Sequence, residues 1–86
     1  MKSIRWYERK NAWLKQHRGV GFEQVVVLFE QGNVLDVMDH PDQEKYPRQK
    51  MAIVEIDGYA CLVPYVTDGA DVFLKTIIPS RKATKK

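Results

Sequence analysis

The first third of the chain has hydrophobic residues at the spacing of helices. Residues 8–17 contain neither Gly nor Pro and are rich in helix-forming residues, so they predict a first helix that ends at Gly19. Trp13, Leu14 and His17 would lie near one side of this helix, because residues three or four positions apart are neighbours on a helix. Its basic residues would point outward or sideways.

Residues 22–31 allow two interpretations. Their run of valines is β-branched and could form a buried strand. We favour a second helix, because apolar residues recur at i, i+3, i+4 and i+7 and the pair Gly32-Asn33 follows as a natural stop. Glu23 lies early in the segment, where a negative charge interacts favourably with the helix dipole.

Beyond the predicted helices the period changes to two, which is typical of strands. A polar loop separates a short predicted strand, residues 34–38, from a longer one, residues 48–56. The Asp-Gly dipeptide that follows directly is the strongest turn signal in the chain, and it predicts a hairpin with a third strand, residues 59–66. Pro64 inside that strand predicts a bulge or an unpaired position, because proline has no N–H to donate.

Residues 72–78 predict a last strand, in which pairing stops at Pro79. Regular alternation would place Leu74, Thr76 and Ile78 on one face and Phe73, Lys75 and Ile77 on the other. Two helices followed by four strands predict an α+β fold, with both helices on one face of a four-stranded antiparallel sheet. The β-prone residues 4–7 allow a short extra N-terminal strand.

Size and composition predict one domain, residues 1–82, with a disordered basic tail at residues 83–86. No apolar run reaches the roughly 18 residues of a membrane span, and the first residues lack the apolar core of a signal peptide. We therefore expect a cytoplasmic protein with no membrane partner. The single cysteine, Cys61, excludes an internal disulfide and a cysteine-based zinc cluster, and its apolar surroundings predict a core position.

The net charge of +3 is unevenly distributed. Residues 1–18 hold six cations and one acid, whereas residues 19–44 hold six acids and no Lys or Arg. From Lys75 onward there are five cations and no acid. Basic ends around an acidic middle predict a shared positive face that attracts phosphates. The alternative is that these charges only solvate a helix and a tail.

Two groups of cations are candidate phosphate ligands. Lys75, Arg81 and Lys82 lie at or after the last strand, and an arginine can bond two phosphate oxygens at once. A second group, with Tyr46, Arg48 and Lys50, lies where the polar loop enters the long strand. Interleaved tyrosine and cations can stack on bases and bind the backbone of single-stranded RNA. Each group has a structural alternative: a solvated tail for the first, and a loop packed against the sheet for the second.

Both histidines are candidates for chemistry near neutral pH. His17 lies at the predicted end of the first helix, where it could act as an acid or base or only interact with the helix dipole. His40 lies in the acidic loop near Asp39 and Asp42, but these residues lack the spacing of a metal-binding motif. We therefore expect no metal site and no cofactor.

Three short motifs resemble the BrnT-type toxins of bacterial toxin–antitoxin pairs. In chain order they are Arg9-Lys10-Asn11, Arg18-Gly19-Val20-Gly21-Phe22-Glu23 and Thr76-Ile77-Ile78-Pro79-Ser80-Arg81-Lys82-Ala83. The resemblance implies a RelE-like fold and a type II toxin that cleaves RNA unless a cognate DNA-binding antitoxin covers it. The implied substrate is messenger RNA, free or on the ribosome, and operator DNA would be contacted only through the antitoxin complex.

The resemblance also implies positions for the site. Lys10, Arg18, Arg48 and Arg81 match basic or histidine positions in or around the site of the family. The chain departs from the pattern in two places. The histidine that precedes the Gly-Val link is shifted by one residue, to His17, and Asp68-Gly69 stands where the family has an arginine, in the turn before the last strand.

The leading hypothesis is therefore a metal-independent endoribonuclease. A base takes the proton of the ribose 2′-hydroxyl, the oxygen attacks the adjacent phosphate, and cations stabilise the added charge. His17 or Lys10 would be the base, and Lys75 and Arg81 would stabilise the charge. The second hypothesis is a noncatalytic nucleic-acid-binding or protein-interaction module of the same fold. A third is a structural protein whose sheet edge takes up a segment of another chain.

Overall fold

The computed structural model describes residues 3–79 and has an α+β fold with both predicted helices. The elements are β1 (Ser3–Arg5), α1 (Glu8–Arg18), α2 (Phe22–Glu30), β2 (Asp36–Asp39), β3 (Gln49–Ile56), β4 (Tyr59–Asp68), β5 (Asp71–Leu74) and β6 (Ile78–Pro79). The first predicted strand, residues 34–38, thus begins at Asp36 instead. Arg81, Lys82 and the predicted tail, residues 83–86, lie outside the described residues.

The sheet has six strands and is mixed, so the prediction of four antiparallel strands was wrong. The order is β1-β5-β4-β3-β2, and β6 pairs with β4. β1 lies parallel to β5, with Ser3 beside Asp71 and Arg5 beside Phe73, whereas all other pairs are antiparallel. The optional N-terminal strand is therefore confirmed. The remaining difference arises because the predicted last strand is divided into β5 and β6.

Local backbone geometry explains two of the chain reversals. Gly19 ends α1 with a left-handed φ of 70°, as predicted for a residue without a side chain. Asp57 and Gly58 both have positive φ, 52° and 83°, which is the requirement of the tight turn whose twist matches a hairpin. The predicted hairpin between β3 and β4 is confirmed, with Ile56 paired to Tyr59.

The buried side of the sheet and the two helices form one hydrophobic core. Its buried residues are Leu14, Phe22, Val25, Ala52, Val54, Ile56, Cys61, Val63, Tyr65, Val72, Leu74 and Ile77. Alternate residues of β3, β4 and β5 enter this core, because side chains alternate between the faces of a strand. Leu14 is fully buried but Trp13 is 40% exposed, so only part of the predicted side of α1 faces the core.

Asn11 joins the two helices from a buried position. Its side-chain oxygen accepts a hydrogen bond from the backbone N–H of Phe22 at 2.8 Å, at the start of α2. Its amide nitrogen donates to the Glu23 carboxylate at 2.9 Å, and the Lys15 ammonium donates to the same oxygen at 2.9 Å. A side chain of α1 thus satisfies one of the free N–H groups at the start of α2, which fixes the angle between the helices.

The last strand contains a bulge opposite Pro64. Tyr65 pairs with Leu74, but Leu62, three residues earlier, pairs with Ile78, four residues later. The extra residue reverses the alternation, so that Ile77 is fully buried and Ile78 is 39% exposed. Pro64 itself stays in continuous register with Met51 of β3, so the bulge predicted in this strand lies instead in the facing segment between Leu74 and Ile78. The prediction that Ile78 shares a face with Leu74 was wrong.

Candidate nucleic-acid interface

The outer side of α1 and the neighbouring part of β5 carry a continuous set of cations and aromatic rings. We call this surface the basic strip; it consists of Arg5, Arg9, Lys10, Arg18, Lys75, Tyr7, Trp13, His17 and Phe73. Lys10 and Phe73 are half-buried and the other members are exposed. The fold thus brings basic residues from the two ends of the described chain to one surface, as the charge distribution predicts.

The α1 half of the strip is organised around Trp13. The Lys10 ammonium lies 4.4 Å from the centre of the indole ring, and the Arg18 guanidinium carbon lies 5.1 Å from it. The His17 ring lies 4.7 Å away, tilted by 33°. Lys10 precedes Trp13 by one helical turn and His17 follows it by one, so the three side chains share one side of the helix. The aromatic ring holds both cations beside the histidine.

Arg18 connects this half of the strip to the last strand. Its guanidinium donates a hydrogen bond to the backbone carbonyl of Ile77, in the bulge. The end of α1 is therefore attached to the segment that joins β5 and β6. Arg18 was predicted as a nucleic-acid ligand, and the structure shows that part of its hydrogen-bonding capacity is used within the fold.

The β5 half of the strip is organised around Phe73. The Lys75 ammonium lies 5.5 Å from the centre of this ring, and the Tyr7 ring packs edge-on against it at 4.8 Å. Tyr7 also lines the groove that holds Arg9, Lys10 and Trp13, and a second groove that holds Arg5, Phe73 and Lys75. Tyr7 is therefore the residue that the α1 groove and the β5 groove share.

The second predicted cluster lies on a separate surface at the start of β3. Lys50 forms an ion pair with Asp39 at 2.8 Å, and this hydrogen bond raises the pKa of the lysine. Tyr46 packs its ring against His40, with centroids 4.4 Å apart. Arg48 and Lys50 line a groove that also contains the carboxylate residues Asp39 and Asp68. Local acids therefore offset the positive charge of this surface.

Asp68 separates the two surfaces. It lines the groove of Arg48 and Lys50 and also the groove of Arg5 and Lys75, where Asp71 is a second acid. The position at which the resembling family has an arginine thus places a negative charge at the edge of the basic strip. This arrangement lowers the positive potential at the β5 end of the strip relative to the α1 end.

The remaining titratable candidates, Cys61 and His40, make contacts within the fold and lie outside the basic strip. Cys61 is buried in the core, as predicted, and burial raises the pKa of its thiol, which disfavours the reactive thiolate. His40 accepts a hydrogen bond at Nδ1 from the backbone N–H of Asp42. Within residues 3–79, no three His, Cys, Asp or Glu side chains are grouped so that they could hold a metal ion. In the same range no helix is long and apolar enough to cross a membrane.

Tyr7 and Phe73 are strip residues that the sequence did not single out. Tyr7 stands between a predicted strand and a predicted helix, in a segment with no periodic pattern to orient it. Phe73 was assigned by alternation to the same face as Lys75, but its contact with the Tyr7 ring depends on the pairing of β1 with β5. Trp13 could have been recognised from its spacing to Lys10 and His17, which puts all three on one side of a helix.

No protein-family model matches the sequence, and comparisons with curated proteins and with solved structures find no match. The function is therefore inferred from the residues of the chain itself.

Proposed function

We propose that this chain is the toxin of a bacterial type II toxin–antitoxin pair, a metal-independent endoribonuclease of the BrnT-like kind. The observation that carries the proposal is the basic strip, which groups an exposed histidine with cations and aromatic rings on one surface. The α+β plan of two helices packed on a sheet is compatible with this proposal, whereas the sheet is mixed and six-stranded.

The proposed chemistry uses Lys10 and His17, which lie on either side of Trp13. One of them takes the proton of the ribose 2′-hydroxyl as the base. The 2′-oxygen then attacks the adjacent phosphorus, and the bond from phosphorus to the 5′-oxygen breaks. The other residue gives a proton to the leaving 5′-oxygen, so that a 2′,3′-cyclic phosphate and a 5′-hydroxyl end are formed. Two proton-transfer groups on one side of α1 support this division of roles.

The other cations hold the phosphate backbone and stabilise the charge that develops during attack. Lys75 and Arg81 are the proposed stabilising cations, because a positive charge near the pentacoordinate phosphorus lowers the barrier. Arg5, Arg9 and the predicted ligand Arg18 would extend the path of the RNA strand along the strip. The predicted ligand Arg48 lies on the separate surface at the start of β3, and Lys82 lies outside the described residues. The antitoxin in this proposal is a cytoplasmic DNA-binding protein that covers the strip and brings the complex to operator DNA.

The first experiment is induced expression of the chain in bacteria, with growth and total RNA as readouts. We expect growth arrest and RNA decay with the native chain, and relief of both with His17→Ala or Lys75→Ala. Lys45→Ala is the matched control, because Lys45 is an exposed lysine in the polar loop, against Tyr46. Normal growth and intact RNA with the native chain would overturn the proposal.

One observation favours a second function, a noncatalytic nucleic-acid-binding module. Asp68 and Asp71 line the same groove as Lys75, and their carboxylates oppose the stabilisation of a developing negative charge there. Such a module would bind RNA with a strong dependence on salt and leave it uncut. Binding and cleavage measured on one sample distinguish the two functions.

A further inference from the structure

The two tryptophans of the chain have different surroundings. Trp6 is half-buried, packs against the core residue Phe22 at 5.8 Å, and donates a hydrogen bond from its indole nitrogen to Glu8 at 2.7 Å. Trp13 lies outside the hydrophobic core, and its ring contacts belong to the basic strip. Packing therefore explains the position of Trp6, whereas Trp13 presents an aromatic ring on the surface.

Tyr7 presents a second ring at the same surface. It is 68% exposed, although its edge is held by Phe73. Tyr7 directly precedes α1, and Trp13 lies six positions after it, which corresponds to about 9 Å along a helix. The groove between the two rings also contains Arg9 and Lys10. Two exposed rings with cations between them form the arrangement by which single-stranded nucleic acid is held.

From this arrangement we infer that Tyr7 and Trp13 are stacking platforms for unpaired bases, so that the strip binds single-stranded RNA in preference to duplex RNA and to polyphosphate. The inference rests on the proposed function only in taking RNA as the ligand of the strip. Each base has a π face that stacks on an aromatic ring, and in a duplex those faces are already stacked on neighbouring bases.

The cations beside Trp13 have distinct roles in such binding. Arg18 is fixed by its hydrogen bond to the Ile77 carbonyl and stays beside the ring. Lys10 reaches the ring through a flexible four-carbon stem, so a base can displace its ammonium from the indole at low cost. The displaced ammonium is then next to the phosphate of the stacked nucleotide. The lysine thus exchanges a cation–π contact for a stronger contact with a phosphate.

The experiment measures the affinity of the purified chain for three polyanionic probes by fluorescence anisotropy at one salt concentration. The probes are a labelled ten-nucleotide oligouridylate carrying 2′-O-methyl groups to prevent cleavage, a duplex of the same length, and inorganic polyphosphate as a competitor. We expect the single strand to bind at least ~10-fold more tightly than the duplex. Tyr7→Leu and Trp13→Leu should each weaken single-strand binding by about 10-fold and leave polyphosphate competition unchanged.

The matched control is Tyr59→Leu, which removes another exposed tyrosine at the β3–β4 turn, far along the chain from the strip. It should bind all three probes like the native chain. Unchanged single-strand affinity in Trp13→Leu, or an equal loss for polyphosphate, would overturn the inference. Cleavage of unmodified RNA by Trp13→Leu with native affinity would overturn the stacking role and leave the proposed function intact. If the native chain binds the single strand through Tyr7 and Trp13 but does not cleave RNA, the stacking role stands and the proposed function fails. If the native chain binds no RNA, both the stacking role and the proposed function fail.

Discussion

Lys75 and Pro64 share a single hydrogen bond where two are usual. The backbone N–H of Lys75 donates to the carbonyl oxygen of Pro64 at 2.9 Å, but proline has no N–H to return. The last strand leaves the ladder at this point and rejoins it one residue out of register at Ile78. Lys75 faces outward to the basic strip by regular alternation with buried Leu74, and the bulge that follows turns Ile77 inward to the core. The contact between Lys75 and Pro64 is therefore the last of the regular register, and the residue inserted after it places Ile77 in the core.

Because of the bulge, we expect substitutions of two neighbouring isoleucines to lower the free energy of unfolding by very different amounts. Ile77→Ala should lower the free energy of unfolding by about 2–5 kcal/mol, because it leaves a cavity in the core. Ile78→Ala should cost less than about 1 kcal/mol, since that side chain is partly exposed. Urea unfolding of both variants measures the difference. Equal costs, or a larger cost at Ile78, would mean that the strand alternates regularly without a bulge.

The buried hydrogen bonds of Asn11 predict that its substitution destabilises the fold. Asn11→Ala removes the acceptor of the buried Phe22 N–H, and an unsatisfied buried donor costs about 1–3 kcal/mol. Thermal or urea unfolding should show this loss. Asn33→Ala is the control, because Asn33 is exposed and its side chain bonds only to exposed Gln31 among the described contacts. A cost at Asn11 no larger than at Asn33 would contradict its capping role.

Glu23 predicts a dependence of stability on pH. The Lys15 ammonium, through its hydrogen bond, holds the pKa of this carboxyl below its usual value of 4.5. The unfolded chain therefore binds a proton more readily, and the contribution of Glu23 is fully present above pH 4.5 and is lost as the pH falls through the lowered pKa. Glu23→Gln should remove that part of the acid dependence. A parallel pH profile for Glu23→Gln and the native chain would show that the ion pair contributes nothing.

The basic strip predicts the salt dependence of RNA binding. Each phosphate neutralised on a single strand contributes about 0.7 to the slope of log affinity against log salt concentration. Lys10→Ala and Lys75→Ala should each reduce the slope by about that amount if both contact the backbone. Lys45→Ala should leave it unchanged. A slope that falls with Lys45 but not with Lys10 would place the RNA on the surface around Tyr46.

The helices and the hairpins could be predicted from the sequence because their signals are local. The spacing in α2, the glycine after α1 and the Asp-Gly turn each depend on residues close together in the chain. The placement of β1 beside β5 could not be predicted in the same way, since that parallel pairing joins residues about 68 positions apart and depends on the packing of the helices between them.

The sequence predicted which basic residues could form a site, but not which of them lie together on one surface. Charge distribution predicted a shared basic face, and Lys10, His17 and Lys75 do lie on one strip with Trp13 and Phe73. Arg48 and Lys50 lie elsewhere, because β3 carries them to the side of Asp39. The position of a cation in the sequence does not show on which of two surfaces it lies. A nearby acid, such as Asp39 beside Lys50, can also offset its positive charge.

The most direct test of the central claim is the cleavage of purified RNA by the native chain in the presence of a metal chelator. We predict cleavage that leaves 2′,3′-cyclic phosphate ends, that is lost on RNA with 2′-O-methyl groups, and that falls by at least about 100-fold in the double variant Lys10→Ala, His17→Ala. Intact RNA, or cleavage that the double variant retains in full, would contradict the assignment of the basic strip as a ribonuclease site.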